Sequence, residues 1–253
     1  MKRQENFDRQ IANLTNHLTL SNLRILEIGG DRWRYVSNKF VDAGAEHVET
    51  INIVPGWPDQ KFVAPKIYSR QLDCRKLTEC YPLETFDLVF GIAVGEHISG
   101  IDLFLAEAEK VLKPNGFLYI HGGPVWSATK GHHLYHKVGD RLFTFHDSDC
   151  PINRWEHLMY DRQELARLMS TRGVESTVAS QLADWVFDTD EQNRLVYSKL
   201  TSLFDSCSLE LVQRIDNAFF SPSDAELEAI VANGYDPEDR YDVSGVIHIM
   251  RKS

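Results

Sequence analysis

Phe7, Ile11, Leu14 and Leu18 recur at spacings of 4, 3 and 4, which predicts an amphipathic helix over residues 5–18, within an N-terminal segment 1–20. Leu23 to Ile28 is a short apolar run ended by Gly29-Gly30-Asp31. Residues 31–43 then return to helical spacing, with Trp33, Val36 and Phe40 on one face and Gly44 as the stop. His47 to Ile53 is a second apolar run, halted by Pro55-Gly56-Trp57-Pro58. Strand, helix and strand inside about 30 residues predict a parallel crossover unit.

The alternation continues. Ile67 to Leu72 reads as a weaker strand, and Phe86 to Ile92 as a strongly apolar buried one. Ile101, Phe104, Leu105, Ala108, Val111 and Leu112 fall on one helical face, and Lys113-Pro114-Asn115-Gly116 stops that helix before the strand Phe117 to Ile120. Such an order predicts an α/β fold, a mostly parallel sheet covered by helices on both faces. Ligands in these sheets gather beyond the carboxyl ends of the strands, which directs attention to residues 27–31, 51–56, 73, 92–97 and 121 onwards. Residues 121–157 lose all period and are rich in Gly, His and aromatics, as expected of a lid or binding segment. Helices are expected at 161–170, from about 191 to 204 (which would include Asn193-Arg194 as a solvent-facing or ion-pairing pair) and at 223–232. The last strands are expected at 209–215 and 243–250.

Composition narrows the class. The chain has 253 residues and a net charge of −10, from 27 Lys+Arg against 37 Asp+Glu. One sizeable core fits that length, so a single domain over 1–253 is expected. The acidic balance argues against a nucleic-acid partner, whose affinity would come from Lys and Arg neutralising phosphates. The first residues are charged and no apolar run approaches a spanning length, so neither a secretory signal nor a membrane partner is expected. Cys74, Cys80, Cys150 and Cys207 form no CxxC pair, consistent with reduced thiols and a cytoplasmic location.

Several segments in register resemble the class I S-adenosylmethionine-dependent methyltransferase superfamily. They are Leu26-Glu27-Ile28-Gly29-Gly30, Phe86-Asp87-Leu88-Val89 followed by Glu96-His97-Ile98, and Lys110 to Phe117, with Gly234 to Asp239 before the last strand. The resemblance implies a Rossmann-like, mostly parallel seven-stranded sheet with a His-rich insertion, 121–160, after the fifth strand. It implies S-adenosylmethionine as cofactor, held by Glu27, Gly29, Gly30, Asn52, Asp73, Cys74, Gly91 and Ile92. Asn52 would face the ribose hydroxyls and Asp73 the adenine amino group. In two places the sequence departs from the family pattern: Asp31 and Trp33 stand where glycines are usual, and Asn52 where an acid is. Asp73 has a competing role as a helix cap, and Trp33 one as a core aromatic of the first crossover helix.

One compositional feature remains. Seven of the ten histidines, at 97, 121, 132, 133, 136, 146 and 157, lie within residues 97–157. As an acceptor pocket they would supply a base of near-neutral pKa, with Trp126 and Trp155 as flat walls; His132, His133 and His97 are the candidate catalytic residues. In a second reading His132 and His136, four apart, bind a divalent metal with His133, His146, Asp147 or His157. In a third the rings are ordinary hydrogen-bonding residues. No residue is assigned as a metal ligand. The function expected is methyl transfer to a hydroxyl or amine of a small molecule or saccharide. The alternatives are a methyltransferase-like fold that only binds or assembles, and a metal-assisted variant of the transfer.

Overall fold

The structure is a computed structural model that describes residues 2–253; Met1, the first residue of the expected N-terminal segment, lies outside the described residues. In chain order the elements are α1 Lys2–Thr15, β1 Arg24–Ile28, α2 Tyr35–Asp42, β2 His47–Asn52, β3 Lys61–Ala64, β4 Ile67–Gln71, a 3-10 turn Cys74–Glu79, β5 Phe86–Gly91, α3 Ile101–Val111 and β6 Leu112–Gly122. Then follow β7 Tyr135–Val138, β8 Arg141–Thr144, α4 Glu156–Met159, α5 Arg162–Thr171, α6 Ser176–Asp188, α7 Tyr197–Asp205, β9 Glu210–Ala218, α8 Asp224–Ala232 and β10 Val243–Arg251. The chain forms two compact units. The first holds residues 2–122, Leu203–Ile215 and Ile247–Ser253, and the second Gly123–Ser202 and Asp216–Val246. Among the described residues no helix is long and apolar enough to cross a membrane.

The main sheet has eight strands in the order β3-β4-β2-β1-β5-β6-β10-β9, one more than expected. The addition is β3, a four-residue edge strand antiparallel to β4, formed where Lys61–Ala64 turns back on Ile67–Gln71. The central pairs β4-β2, β2-β1, β1-β5 and β5-β6 are all parallel. Their registers are what the apolar runs dictate: Ile25, Val48, Ile67, Leu88 and Phe90 lie in one core together with Val36 and Phe40 of α2 and Leu14 of α1. α3 buries Ile101, Phe104, Leu105, Ala108 and Val111, the stripe read from its spacing.

Two expectations in this unit need correction. The helix expected from residue 31 begins at Tyr35, because the Asp31 carboxylate accepts the N–H groups of Trp33 (2.8 Å) and Tyr35 (3.1 Å) and so stands as a local cap before the helix. Trp33 therefore lies outside the helix at 76% exposure and joins no core.

The second unit has its own core, built from Trp126, Leu134, Trp155, Leu158, Leu165, Met169, Leu182, Val186 and Ile230. α5 and α8 each begin with a capping box, Asp161 with Glu164 and Ser223 with Glu226. Glu156, buried, takes a two-pronged ion pair from Arg172 (2.8 and 2.5 Å) and two further bonds from Asn153. The helix expected from 191 begins only at Tyr197, and α6 is an element the spacing did not predict. Asn193-Arg194 lies between them and is neither helical nor solvent-facing. Arg194, at φ 53, donates to the carbonyls of Val186 (3.0 Å) and Thr189 (2.7 Å), where the end of α6 leaves acceptors unpaired.

Candidate functional site

The carboxyl ends of β1, β2, β4 and β5 lie side by side, and each carries residues that the family resemblance assigns to the cofactor. At the end of β1, Gly29 takes φ +73, a conformation that disfavours a side chain, and a Cβ there would stand 2.3 Å from Cγ1 of Val94. Gly30 is as constrained, since a Cβ would meet the Thr50 hydroxyl at 1.9 Å. The N–H groups of both glycines turn back to the carbonyl of Ile51 (2.9 and 3.2 Å), which fastens this turn to β2. Beneath it Glu27 is buried and accepts a short hydrogen bond from the Ser37 hydroxyl. Burial pushes the Glu27 carboxyl up to about 7, against the opposing pull of its bond to Ser37 and of the nearby Thr50 hydroxyl.

Asn52 closes β2. Its Nδ2 donates to the carbonyl of Gly30 (3.0 Å) and its Oδ1 accepts from the N–H of Val54 (3.1 Å), so the amide links the two loops. Asp73, following β4, caps the 3-10 turn by accepting from the N–H of Arg75 (2.9 Å), the competing role read from the sequence. The Arg75 side chain also forks onto that carboxylate and, through hydrogen bonding first, holds the Asp73 carboxyl below the usual carboxylate range. Cys74 beside it is half-buried, and burial raises its thiol to about 12, so it stays protonated at neutral pH. Gly91 ends β5 with Val94 Cγ2 2.6 Å and Ile120 Cδ1 3.1 Å from where a Cβ would sit. Ile92 follows, and the N–H of Ala93 donates to Nδ1 of His121 (3.2 Å). Val94, which lies against both Gly29 and Gly91, carries no chemical signal in the sequence and was missed.

The candidate histidines fall into different environments. His97 is 43% exposed, and its Nε2 is 3.7 Å from Oε1 of Glu96, which is buried. His133 is nearly buried at φ 50, its ring 4.7 Å from that of Phe145. His132 is fully buried; its Nδ1 accepts the N–H of Leu134 (3.1 Å), which leaves the ring proton on Nε2. His157 is fully buried too, with Nε2 at 2.8 Å from the carbonyl of Trp126 and its ring 5.5 Å from that of His132. Burial lowers both, His157 to about 4 and His132 well below its ordinary value. His132 lies in a turn and His136 on β7, beside Trp185, so they share no helical face. The metal reading loses the spacing argument on which it rested.

Comparison with known proteins bears on this arrangement. Residues 37–120 match the family model of a methyltransferase domain. An S-adenosylmethionine-dependent methyltransferase from Mesorhizobium loti shares the fold at a TM-score of 0.54 and 13% identity, over 96% of this chain and 96% of that one. Geranyl diphosphate C-methyltransferase from Streptomyces coelicolor, in complex with Mg2+, a substrate analogue and S-adenosyl-L-homocysteine, gives 0.53 and 12%, over 97% of this chain and 76% of that one. The [4+2]-cyclase SpnF gives 0.52 and 14%, over 96% and 80%. No curated protein matches the chain by sequence. At such identities the structures speak for the fold alone, and the matched segment runs from within α2 to β6, with Asn52, Asp73, Cys74, Gly91 and Ile92 inside it and Glu27, Gly29 and Gly30 before it. Residues 37–120 thus match a methyltransferase domain, and the chain shares the fold of S-adenosylmethionine-dependent methyltransferases.

Proposed function

We propose that the chain transfers a methyl group from S-adenosylmethionine to a hydroxyl or amine of a small molecule or saccharide. The observation that supports this reading best is the alignment of Gly29-Gly30, Asn52, Asp73-Cys74 and Gly91-Ile92 on the ends of four neighbouring strands. Their donor and acceptor set fits the nucleoside. The Asn52 amide keeps a lone pair on Oδ1 and one N–H on Nδ2 after its bonds to Gly30 and Val54, enough for one ribose hydroxyl pair. Asp73 stays ionised under its Arg75 fork and can accept from an amino group. The cofactor supplies an electrophilic methyl on sulfur; the protein's part is to align the acceptor and take its proton.

His97 suits that last task better than His132. It is half exposed, and the buried Glu96 carboxylate beside it can orient the ring. His132 has its Nδ1 committed to the backbone and stays neutral in the core, a structural part. His133 remains a candidate at the edge of its core.

A second reading, a member of this fold that binds without methyl transfer, draws on Val94 filling the space over Gly29 and Gly91. Calorimetric titration with S-adenosylmethionine and S-adenosylhomocysteine separates the two. Micromolar heats with both are expected, and Asn52→Ala should weaken each by roughly tenfold, the loss of about one hydrogen bond to a sugar hydroxyl. Absence of heat and of any thermal shift with either compound overturns the transferase reading.

A further inference from the structure

The backbone from Gly91 to His97 leaves the end of β5 carrying two candidate cofactor residues, Gly91 and Ile92, and the candidate base His97. Its middle is conformationally costly. Ala93 takes φ +52, a region that alanine disfavours and that persists only where the surroundings hold it. Val94 lies against both Gly29 and Gly91, and Gly95 passes so near β6 that a Cβ on it would stand 3.1 Å from Cα of Gly122.

One residue fastens this turn at three points. The carbonyl of His121, near the end of β6, accepts from the N–H groups of Val94 (3.2 Å) and Gly95 (3.3 Å), and Nδ1 of its buried ring accepts from the N–H of Ala93 (3.2 Å). The N–H of His97 then closes onto the carbonyl of Val94 (2.9 Å). The two bonds to the His121 carbonyl survive any substitution there, whereas the bond from the strained Ala93 depends on the side chain. An accepting Nδ1 requires a neutral ring with its proton on Nε2. Burial first, and the Arg9 guanidinium second, keep the ring in that state by lowering its pKa to about 4. We propose that the His121 side chain is a positioning residue for methyl transfer: by accepting from Ala93 it holds the turn that sets Gly91 and Ile92 for the cofactor and fixes where His97 stands. The inference rests on the transferase reading and deepens it.

Two substitutions of equal shape separate the acceptor from the bulk of the ring. His121→Asn places an amide oxygen where Nδ1 stands and can still accept from Ala93; His121→Leu offers no acceptor. Lost packing affects both alike, so the difference between them reads the hydrogen bond. The readouts are calorimetric titration with S-adenosylhomocysteine and hydrogen exchange at the Ala93 amide. His121→Leu is expected to bind about tenfold more weakly than the parent and to exchange at Ala93 about tenfold faster, while His121→Asn stays within about threefold of the parent in both. A His121→Leu chain that binds as tightly as the parent overturns the inference and leaves the transferase reading standing. So does a His121→Asn chain that binds about tenfold more weakly than the parent, a result that decides even where His121→Leu fails to fold. A parent that binds neither S-adenosylhomocysteine nor S-adenosylmethionine overturns the transferase reading itself, and with it the role given to His121.

Discussion

Lowering the pH from about 6.5 to 4 is expected to destabilise the fold steeply, because four buried histidines stay neutral inside it. His121 and His157 are depressed to about 4 and His248 to about 3, while His132 lies well below its ordinary value; burial is the leading cause in each. His248 lies flat against Phe204, 3.8 Å between ring centres, with the Arg214 guanidinium near it adding repulsion. A depressed histidine takes up its proton in the unfolded chain near 6.5 but in the folded chain only much lower. The stabilisation is therefore complete above 6.5 and is lost as the pH falls toward the folded value. A shift of the size seen at His157 corresponds to roughly 3 kcal/mol at pH 4, a large fraction of a typical domain's stability. Urea midpoints measured across this range should fall with decreasing pH, and His248→Gln should reduce the slope by about one proton's worth, ~1.4 kcal/mol per pH unit. A stability that stays flat down to about pH 5 would contradict the burial of these rings.

Glu27 has the opposite sign. Its carboxyl is raised to about 7 in the fold against an ordinary value of 4.5, so the folded chain binds this proton more tightly than the unfolded one. Stability is lost as the pH rises from 4.5 through 7, and above that an ionised carboxylate is held in the core at a cost of roughly 3 kcal/mol. Replacing it by glutamine keeps an oxygen to accept from Ser37 and removes the charge. Glu27→Gln is expected to be nearly as stable as the parent at about pH 5 and more stable by about 2–3 kcal/mol at about pH 8.5. Equal stability of the two at the higher pH would show that the carboxylate is solvated or paired. Both groups act in the first unit, where Glu27 offsets one of the two protons taken up by His121 and His248 between pH 4.5 and 6.5.

The centre of the sheet was legible in the sequence because β1, β2 and β5 are buried on both faces and written as apolar runs, and α3 because five large or small apolar residues keep one stripe without interruption. α2 was placed too early: Asp31 satisfies local N–H groups itself, so the chain turns there before it coils, and Trp33 is carried outward. α6 buries Ala179, Leu182, Ala183 and Val186, a helical spacing carried half by alanines, which give little hydrophobic contrast. Arg194 could not be foreseen as a partner for the end of a helix that was itself unread. The candidate site was legible as strand ends, whereas the roles of the histidines depended on burial: one exposed ring at 97 and one sealed ring at 132 look alike in a chain.

The turn at Gly30 carries a last consequence, for descent rather than for energy. A methyl group at position 30 and the hydroxyl of Thr50 would claim the same space, 1.9 Å apart, while Thr50 sits on a strand held by registers on both sides. Position 30 cannot gain a side chain while Thr50 stays. Homologous chains that have gained a side chain at position 30 should carry glycine or alanine at 50, and those that keep threonine should keep the glycine. Change at position 30 is then tied to change at position 50, although they are twenty residues apart, one in a turn and the other on β2.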